Sequence, residues 1–489
     1  MKKLQFSREY ILAFSIVLVV LVAYLAQLTC FPIFTDEAIY IMWAERIRNG
    51  TENLFVSLND GKPPLFIWMI SVWSKVFGNN PLFSGRFSSV FLLLLFFSFI
   101  LYFFRKYYSF KQGMLVLFVL AFSPFIYFHG RLSLMDAPLA VFITTALLFW
   151  ITPKVKYHAV YTGFFLGLAY LIKTPALFLI PFPLLSAVIF NRNLKTYIKA
   201  AISVFISILI LLTLRVSVFF PKLFSRSQDF TFSLSEIING ETNHIAANVQ
   251  NFLDAVVRYD SYPLLLAVII SIFFAFKTKH KTAQNFYLAA TVFIVPFILF
   301  GKVISPRYYL PAIFLLYTGM ALVISKIKDR RHLTAVIVML LIVPVFQITR
   351  LLTDYSRFSF PKKDEYQYLK EWSSGVGIKE VINYLSSEAK NKKIVVLTEG
   401  FHGTTPDSLY IYHSILPQNI KNNIEIVPVQ YIGNELFIKA LEKYADSSVY
   451  YIGHSNRITS NSLADYHLKL VQSYPKKDNY AALQLYRKE

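Results

Sequence analysis

Residues 87–106 read FSSVFLLLLFFSFILYFFRK: eighteen positions without a charge, followed by an arginine and a lysine. An apolar run of about 20 residues has the length that crosses a bilayer core, and basic residues flank such spans on the cytoplasmic side. Besides this span, near 86–104, comparable runs fall near 10–29, 112–128, 134–151, 158–172, 175–190, 197–220, 262–276, 285–301, 308–325 and 332–350. The composition agrees with a polytopic membrane protein. Of 489 residues 55% are hydrophobic and only 16% charged, against about 25% charged in an ordinary soluble domain. Mean hydropathy is +0.49. These values exclude a water-soluble enzyme and a disordered chain, and 17 Gly with 21 Pro exclude a collagen-like repeat. With one cysteine, Cys30, there is no internal disulfide and no cysteine-based zinc cage.

The charges orient the spans. The chain carries a net +21, which in a soluble protein would point to nucleic acid. Most of it sits in six short segments: 1–10 (Lys2, Lys3, Arg8), 105–111, 153–158, 191–199, 277–281 and 326–332. Together these hold 18 Lys/Arg and two acids, Glu9 and Asp329. The first run, behind MKKLQFSR, exceeds a signal-peptide core and lacks an A-x-A-like site, so it is read as an uncleaved span. The 14-residue stretch Pro64–Phe77 is ambiguous. If it does not cross, all six basic segments share one face. It is therefore read as an interfacial helix within an outer loop. The expectation is about 11 transmembrane helices, a cytoplasmic N-terminus, and a plasma-membrane location. The charge excess is then an orientation signal, and no nucleic-acid partner is expected.

The membrane part is expected to cover 1–350, with a first outer loop at 30–85 and another at 221–261. The remainder, 351–489, alternates helical and strand patterns. Lys379–Lys390, Asp407–Ser414 and Asn434–Tyr444 read as helices, and Lys393–Leu397, Ile424–Val429 and Val449–Ile452 as strands. That order predicts a small extracytoplasmic α/β domain with a parallel sheet. His467–Tyr474 and Ala481–Tyr486 read as a hairpin at its edge.

Under this topology the charges at the outer helix ends converge: Asp36, Glu37, Lys62, Arg86, Arg131, Asp136, Lys173 and Arg307. Lys62, Lys173 and Arg307 beside a carboxylate suit transfer of a group from a phosphate leaving group. With no nucleotide-binding loop among the membrane segments, a lipid-borne phosphate is the natural donor. Each residue also has a plainer reading. Thr35 reads as an N-cap with Asp36 and Glu37 as first-turn acids, and Asp136 as a cap for the span that follows. Lys173 and Arg307 read as snorkelling cations, Lys62 as a turn residue, and Arg86 and Arg131 as anchors. Glu241 and His244 are weak metal candidates, and Thr398–Gly403 is an incomplete phosphate loop.

The ordered set Asp36-Glu37-Ala38-x-Tyr40, Lys62-Pro63-Pro64-Leu65 with Trp68, Arg86, Arg131, Asp136, Leu171-x-Lys173 and Arg307-Tyr308-x-x-Pro311 resembles the GT-C class of polytopic glycosyltransferases. Within that class it is similar to the protein O-mannosyltransferase and aminoarabinose transferase superfamily, over about 30–325. The resemblance implies a GT-C membrane domain that moves a sugar from a polyprenyl-phosphate donor to a cell-envelope acceptor on the outer face of the bilayer. It implies Asp36, of the pair Asp36 and Glu37, as catalytic base. Lys62 and Arg307, with Lys173, would hold the donor phosphate. Asp136, Arg86, Arg131, Tyr40 and Tyr308 would belong to the cavity. The polyprenyl-phosphate sugar is a co-substrate; no cofactor is firmly implied, and the part of a divalent metal stays open. The alternative is a transporter or flippase of polyprenyl-linked sugars. Against it, the selected charges lie at helix ends rather than mid-span, and no internal repeat is visible.

Overall fold

The computed structural model describes all residues except Met1 and Thr459. The side chains of Lys2, Lys3 and Arg8, counted in the basic N-terminal segment, lie outside what is described. The chain divides into two compact units. One comprises Met1–Leu28, Asn53–Met69 and Phe87–Pro361; the other comprises Thr29–Glu52, Ile70–Arg86 and Lys362–Glu489.

The first unit is helical. Among the described residues five helices are long and apolar enough to cross a membrane: Pro81–Tyr107, Leu194–Val216, Lys281–Phe300, Pro306–Ile324 and Arg330–Thr353. Two bent pairs raise this to seven, Phe110–Ala121 with Pro124–Gly130 and Asn243–Asp260 with Tyr262–Lys277. The other four expected spans fall on the shorter apolar helices Glu9–Leu25, Asp136–Trp150, His158–Ile172 and Thr174–Phe190. Helix length and apolarity therefore support five to seven of the eleven expected spans.

The bends have chemical causes. Pro124 starts the second half of one pair, and the other turns at Ser261, whose φ is +80°. A broken helix frees backbone groups that an apolar environment cannot solvate. One side chain serves both breaks. Asp260, fully buried at the second bend, accepts hydrogen bonds from Ser123 Oγ at 2.9 Å, Phe125 N at 3.2 Å and Tyr317 Oη at 2.6 Å.

Elsewhere small residues allow close helix approach, the packing mode available where lipid offers no hydrophobic drive. Gly163 and Gly167 of His158–Ile172 face Leu194–Leu212. A Cβ on Gly163 would stand 2.4 Å from the Ser203 carbonyl oxygen, and one on Gly167 2.7 Å from Ile210. Ser203 and Ser207 donate back to the carbonyls of Ala159 and Gly163, at 2.8 and 3.0 Å.

The second unit contains a five-stranded sheet: β1 Ile394–Glu399, β2 Ile424–Gln430, β3 Ser448–His454, β4 Leu468–Tyr474 and β5 Leu483–Lys488. The strand order is β2-β1-β3-β5-β4. β1 pairs in parallel with β2 and β3, and β4–β5 is an antiparallel hairpin joined to β3 through β5. Strand alternation sends Ile394 and Val396 into one core with helix Ile378–Glu388 and Leu409. It sends Val395 and Leu397 into a second core with Phe437 and Leu441. The helices and strands expected from sequence over 379–486 are all present, with ends shifted by one or two residues. Lys476 is buried here, donating to the carbonyls of Glu371 at 2.9 Å and Ser374 at 2.7 Å.

Two outcomes are expected. Gly163→Leu forces a side chain against the Ser203 backbone and destabilises the helix pair by about 1–3 kcal/mol, read as a lower aggregation temperature in heated size-exclusion runs. Burial also lowers the Lys476 ammonium from 10.5 to about 7. Between those values the unfolded chain holds a proton that the folded one has released, so stability rises with pH from about 7 to about 10.5. Lys476→Met removes that slope, measured by comparing the thermal midpoints of the two proteins across this range.

Candidate active site

Three helix ends in the first unit carry the charges that the sequence singles out. Asp136 is the first residue of helix Asp136–Trp150, where the helix dipole favours an anion. Lys173 follows His158–Ile172 in extended conformation, where Thr174-Pro175 begins a 3₁₀ turn. Arg307 lies in the 3₁₀ turn Pro306–Tyr309 that enters helix Leu310–Ile324. The fold brings them together. Lys173 Nζ lies 2.6 Å from Asp136 Oδ1, and Arg307 Nε lies 3.7 Å from Asp136 Oδ2. The Lys173 ammonium also sits 4.1 Å over the ring of Tyr308. Arg307 packs against the same ring, at 5.5 Å.

The plainer readings of these residues do not hold. Met135, not Asp136, is the N-cap, and no side chain caps that helix. Arg307 is only 5% exposed, so it does not snorkel to an interface. Lys173 and Arg307 both approach the Asp136 carboxylate, and charge–charge interactions in such a partly desolvated corner are stronger than the same ones in water.

The other predicted residues of this unit make the following contacts. Lys62 pairs with Asp60 at 2.9 Å, and Asp60 also binds Arg226 at 2.5 Å. The preceding Gly61 has φ +71° and lies against the Leu223 carbonyl, at 3.2 Å from an added Cβ. Arg131 donates to the carbonyls of Tyr24, at 3.1 Å, and Ala26, and to Tyr127 Oη at 2.8 Å. It thereby satisfies carbonyls at the end of the first helix, Lys2–Leu25. His244 donates from Nε2 to the Leu299 carbonyl at 2.8 Å and stacks on Phe232 at 4.1 Å. Among the described residues no group of three or more His, Cys, Asp or Glu is arranged to hold a metal ion.

In the second unit the acidic pair opens helix Thr35–Arg48. The N-cap is Phe34 rather than Thr35, because Glu37 reaches back to Phe34 N at 3.1 Å. Glu37 is fully buried against Arg86, which donates from Nε to Oε1 and from Nη2 to Oε2, both at 2.9 Å. Arg86 also holds the carbonyls of Phe31 at 2.9 Å and Pro32 at 3.2 Å. Glu37 and Arg86 thus lock the chain entering the helix, and Asp36 is the half-buried member of the pair. Tyr40 stacks on Trp43 at 5.9 Å. Asp260 and Thr404, both buried, were not singled out by sequence reasoning. An acid two residues before Tyr262-Pro263 and an apolar run was a usable signal for the first; Thr404 had none beyond its place after the Gly-containing loop.

The site therefore lies in a mainly helical unit, and the chain carries a small C-terminal sheet in its other unit. Residues 61–218 match the family model of dolichyl-phosphate-mannose-protein mannosyltransferases. Among solved structures, the chain is similar to ArnT from Cupriavidus metallidurans bound to undecaprenyl phosphate. The identity is 14%, the TM-score 0.62, and 97% of each chain is covered. The apo state of the same protein gives 13% identity, 98% of each chain and a TM-score of 0.62. The Archaeoglobus fulgidus oligosaccharyltransferase in its apo form gives 11% identity and a TM-score of 0.51, covering 90% of this chain and 69% of that one. No curated protein sequence matches significantly. The resemblance drawn from the ordered motifs is borne out by the family model over residues 61–218 and by the likeness in fold.

Arg86→Ala strands the buried Glu37 carboxylate and is expected to cost about 3–5 kcal/mol. Replacing both partners by leucine is expected to cost clearly less. Thermal unfolding of the purified single and double variants checks the difference.

Proposed function

We propose that the chain transfers a sugar from a polyprenyl-phosphate donor to a hydroxyl of a cell-envelope acceptor (lipid, glycan or protein) on the outer face of the plasma membrane. The Asp136–Lys173–Arg307 cluster carries this reading: it brings two cations from different helix ends to one point, the kind of arrangement that binds a lipid phosphate. Arg307 and Lys173, with Lys62, hold the donor phosphate, and Asp136 orients Arg307 and Lys173. Asp36 accepts the proton of the acceptor hydroxyl as that oxygen attacks the anomeric carbon. The bond from that carbon to the phosphate oxygen breaks, and its electron pair leaves on the polyprenyl phosphate. Charge grows on the departing phosphate, where preorganised cations contribute most to catalysis. Glu37, locked by Arg86, keeps the helix entry rigid.

The two broken helices are the feature a transporter would share. Here Asp260 binds across both breaks, so the bends serve the packing of the fold rather than a moving substrate path.

Purified protein in liposomes, incubated with defined polyprenyl-phosphate sugars and membrane extracts, tests the proposal by mass spectrometry of the products. Asp36→Asn is expected to lower turnover by about 10²-fold or more while the protein stays monodisperse; wild-type turnover in that variant sinks the base assignment. Arg307→Met and Lys173→Met are expected to raise the donor KM. Arg307→Lys is expected to rescue little, because an ammonium does not reproduce the guanidinium fork. Unchanged donor kinetics in both methionine variants would remove the cluster from the phosphate site.

A further inference from the structure

The Gly-containing loop after β1, residues 399–406 (EGFHGTTP), cradles Thr35, the neighbour of Asp36. The Thr35 and Thr404 hydroxyls are hydrogen-bonded to each other, and both residues are buried, at 7% and 1% exposure. Thr35 N donates to the Ser373 carbonyl at 3.0 Å, and Phe34 forms an antiparallel bridge with Ser374. Two glycines give the room for this approach. Gly403, at φ +94°, would place a Cβ 3.3 Å from Thr35 Cγ2, and Gly375 would place one 2.2 Å from the Ile33 carbonyl oxygen.

The loop is itself braced. The buried Asp407 carboxylate accepts from Gly403 N at 2.6 Å, and Thr405 Oγ1 donates to the Glu399 carbonyl at 2.6 Å. Glu399 in turn accepts from His454 N at 2.7 Å and from Arg457 Nη1 at 2.7 Å. Lys476 holds the 371–374 segment from its other side. Below the cradle, Ile33, Ala38 and Ile41 pack in one apolar cluster with Ile411, on the helix Pro406–Ser414 that follows the loop.

We propose that Thr404 is a positioning residue for the transfer reaction: through the Thr35 hydroxyl, the α/β domain sets the placement of Asp36. The proposal rests on the assignment of Asp36 as base. It gives the C-terminal sheet, which contributes no predicted catalytic residue, a part in turnover. Thr35 is the first helical residue and Asp36 the second, so a shift of the Thr35 side chain and amide moves the Asp36 backbone directly. Displacements of about 1 Å at a reacting group reduce rates by about 100-fold.

The test uses the full chain in liposomes with the donor panel described above. Thr404→Val keeps the shape and removes the hydroxyl; Thr404→Ser keeps the hydroxyl. Thr404→Val is expected to lower kcat by about 10- to 100-fold, with donor KM within about two-fold and with faster hydrogen–deuterium exchange at residues 34–40. Thr404→Ser is expected to stay near wild type. Thr35→Val combined with Thr404→Val is expected to be no worse than either alone, since both delete one shared contact. Wild-type kcat in Thr404→Val, equal damage in Thr404→Ser, or additive losses in the double variant would each overturn the proposal. Asp36→Asn run alongside separates the failures. If it is inactive while Thr404→Val turns over normally, only the positioning role falls; if it is active, the base assignment falls and takes the positioning role with it.

Discussion

The Asp136 carboxylate between Lys173 and Arg307 is the interaction on which the reading of the membrane unit depends. An apolar interior penalises an isolated charge by several kcal/mol, and only close partners with good geometry offset it. That requirement draws three helix ends to one point. Asp136 opens one helix, Lys173 closes another, and Arg307 lies in the turn before a third. The turns around them are short and proline-bearing, with Pro138, Pro175 and Pro306. Helix termini, with their unpaired backbone groups and dipoles, are where a helical membrane fold can place charge at least cost. The same constraint underlies the proposed role of the cluster, since cations already assembled in place need little reorganisation to meet a ligand.

The second unit meets a related demand by different means. Glu37 and Arg86 form a pair that is fully buried, and their remaining bonding capacity goes to the backbone of Phe31, Pro32 and Phe34. Such a fully buried, backbone-bonded pair suits an anchor. The α/β sheet adds a rigid frame beside it, with both faces covered by helices and a braced loop at the end of β1. Functional groups supported by packed elements keep their geometry better than groups on unsupported loops.

Much of this was legible in the amino-acid order. Each of the eleven apolar runs coincides with a helix or bent helix pair, because hydrophobic length is a local quantity. Whether each is long enough to cross is less local, and the helices Asp136–Trp150, His158–Ile172 and Thr174–Phe190 are bounded by turns near Asp136, Lys173 and neighbouring prolines. In the C-terminal part, period-2 and period-3.6 patterns alternate clearly, and strands and helices lie where those patterns place them. The reading of Thr35 as a cap failed for a specific reason. A cap is defined by backbone angles, and Glu37 reaching back to Phe34 N moved that role one residue upstream.

By itself the sequence determined that this is a polytopic membrane protein with an α/β tail, and which few charges were available for chemistry, since burial and span length follow from composition along the chain. It could not determine which charges pair. Lys173 at a helix end satisfies a snorkelling role and a buried ion pair equally well, and only the partner distinguishes them. That partner, Asp136, is 37 residues away, and Thr35 meets Thr404 across 369. Contacts of that range depend on how whole helices and strands pack. Tertiary structure therefore decided that Arg131 caps a helix, that Glu37 is held by Arg86, and that Lys173 and Arg307 meet at Asp136. The physical reason is that electrostatic energy in an apolar fold depends on distance and desolvation, and neither is a property of any one stretch of chain.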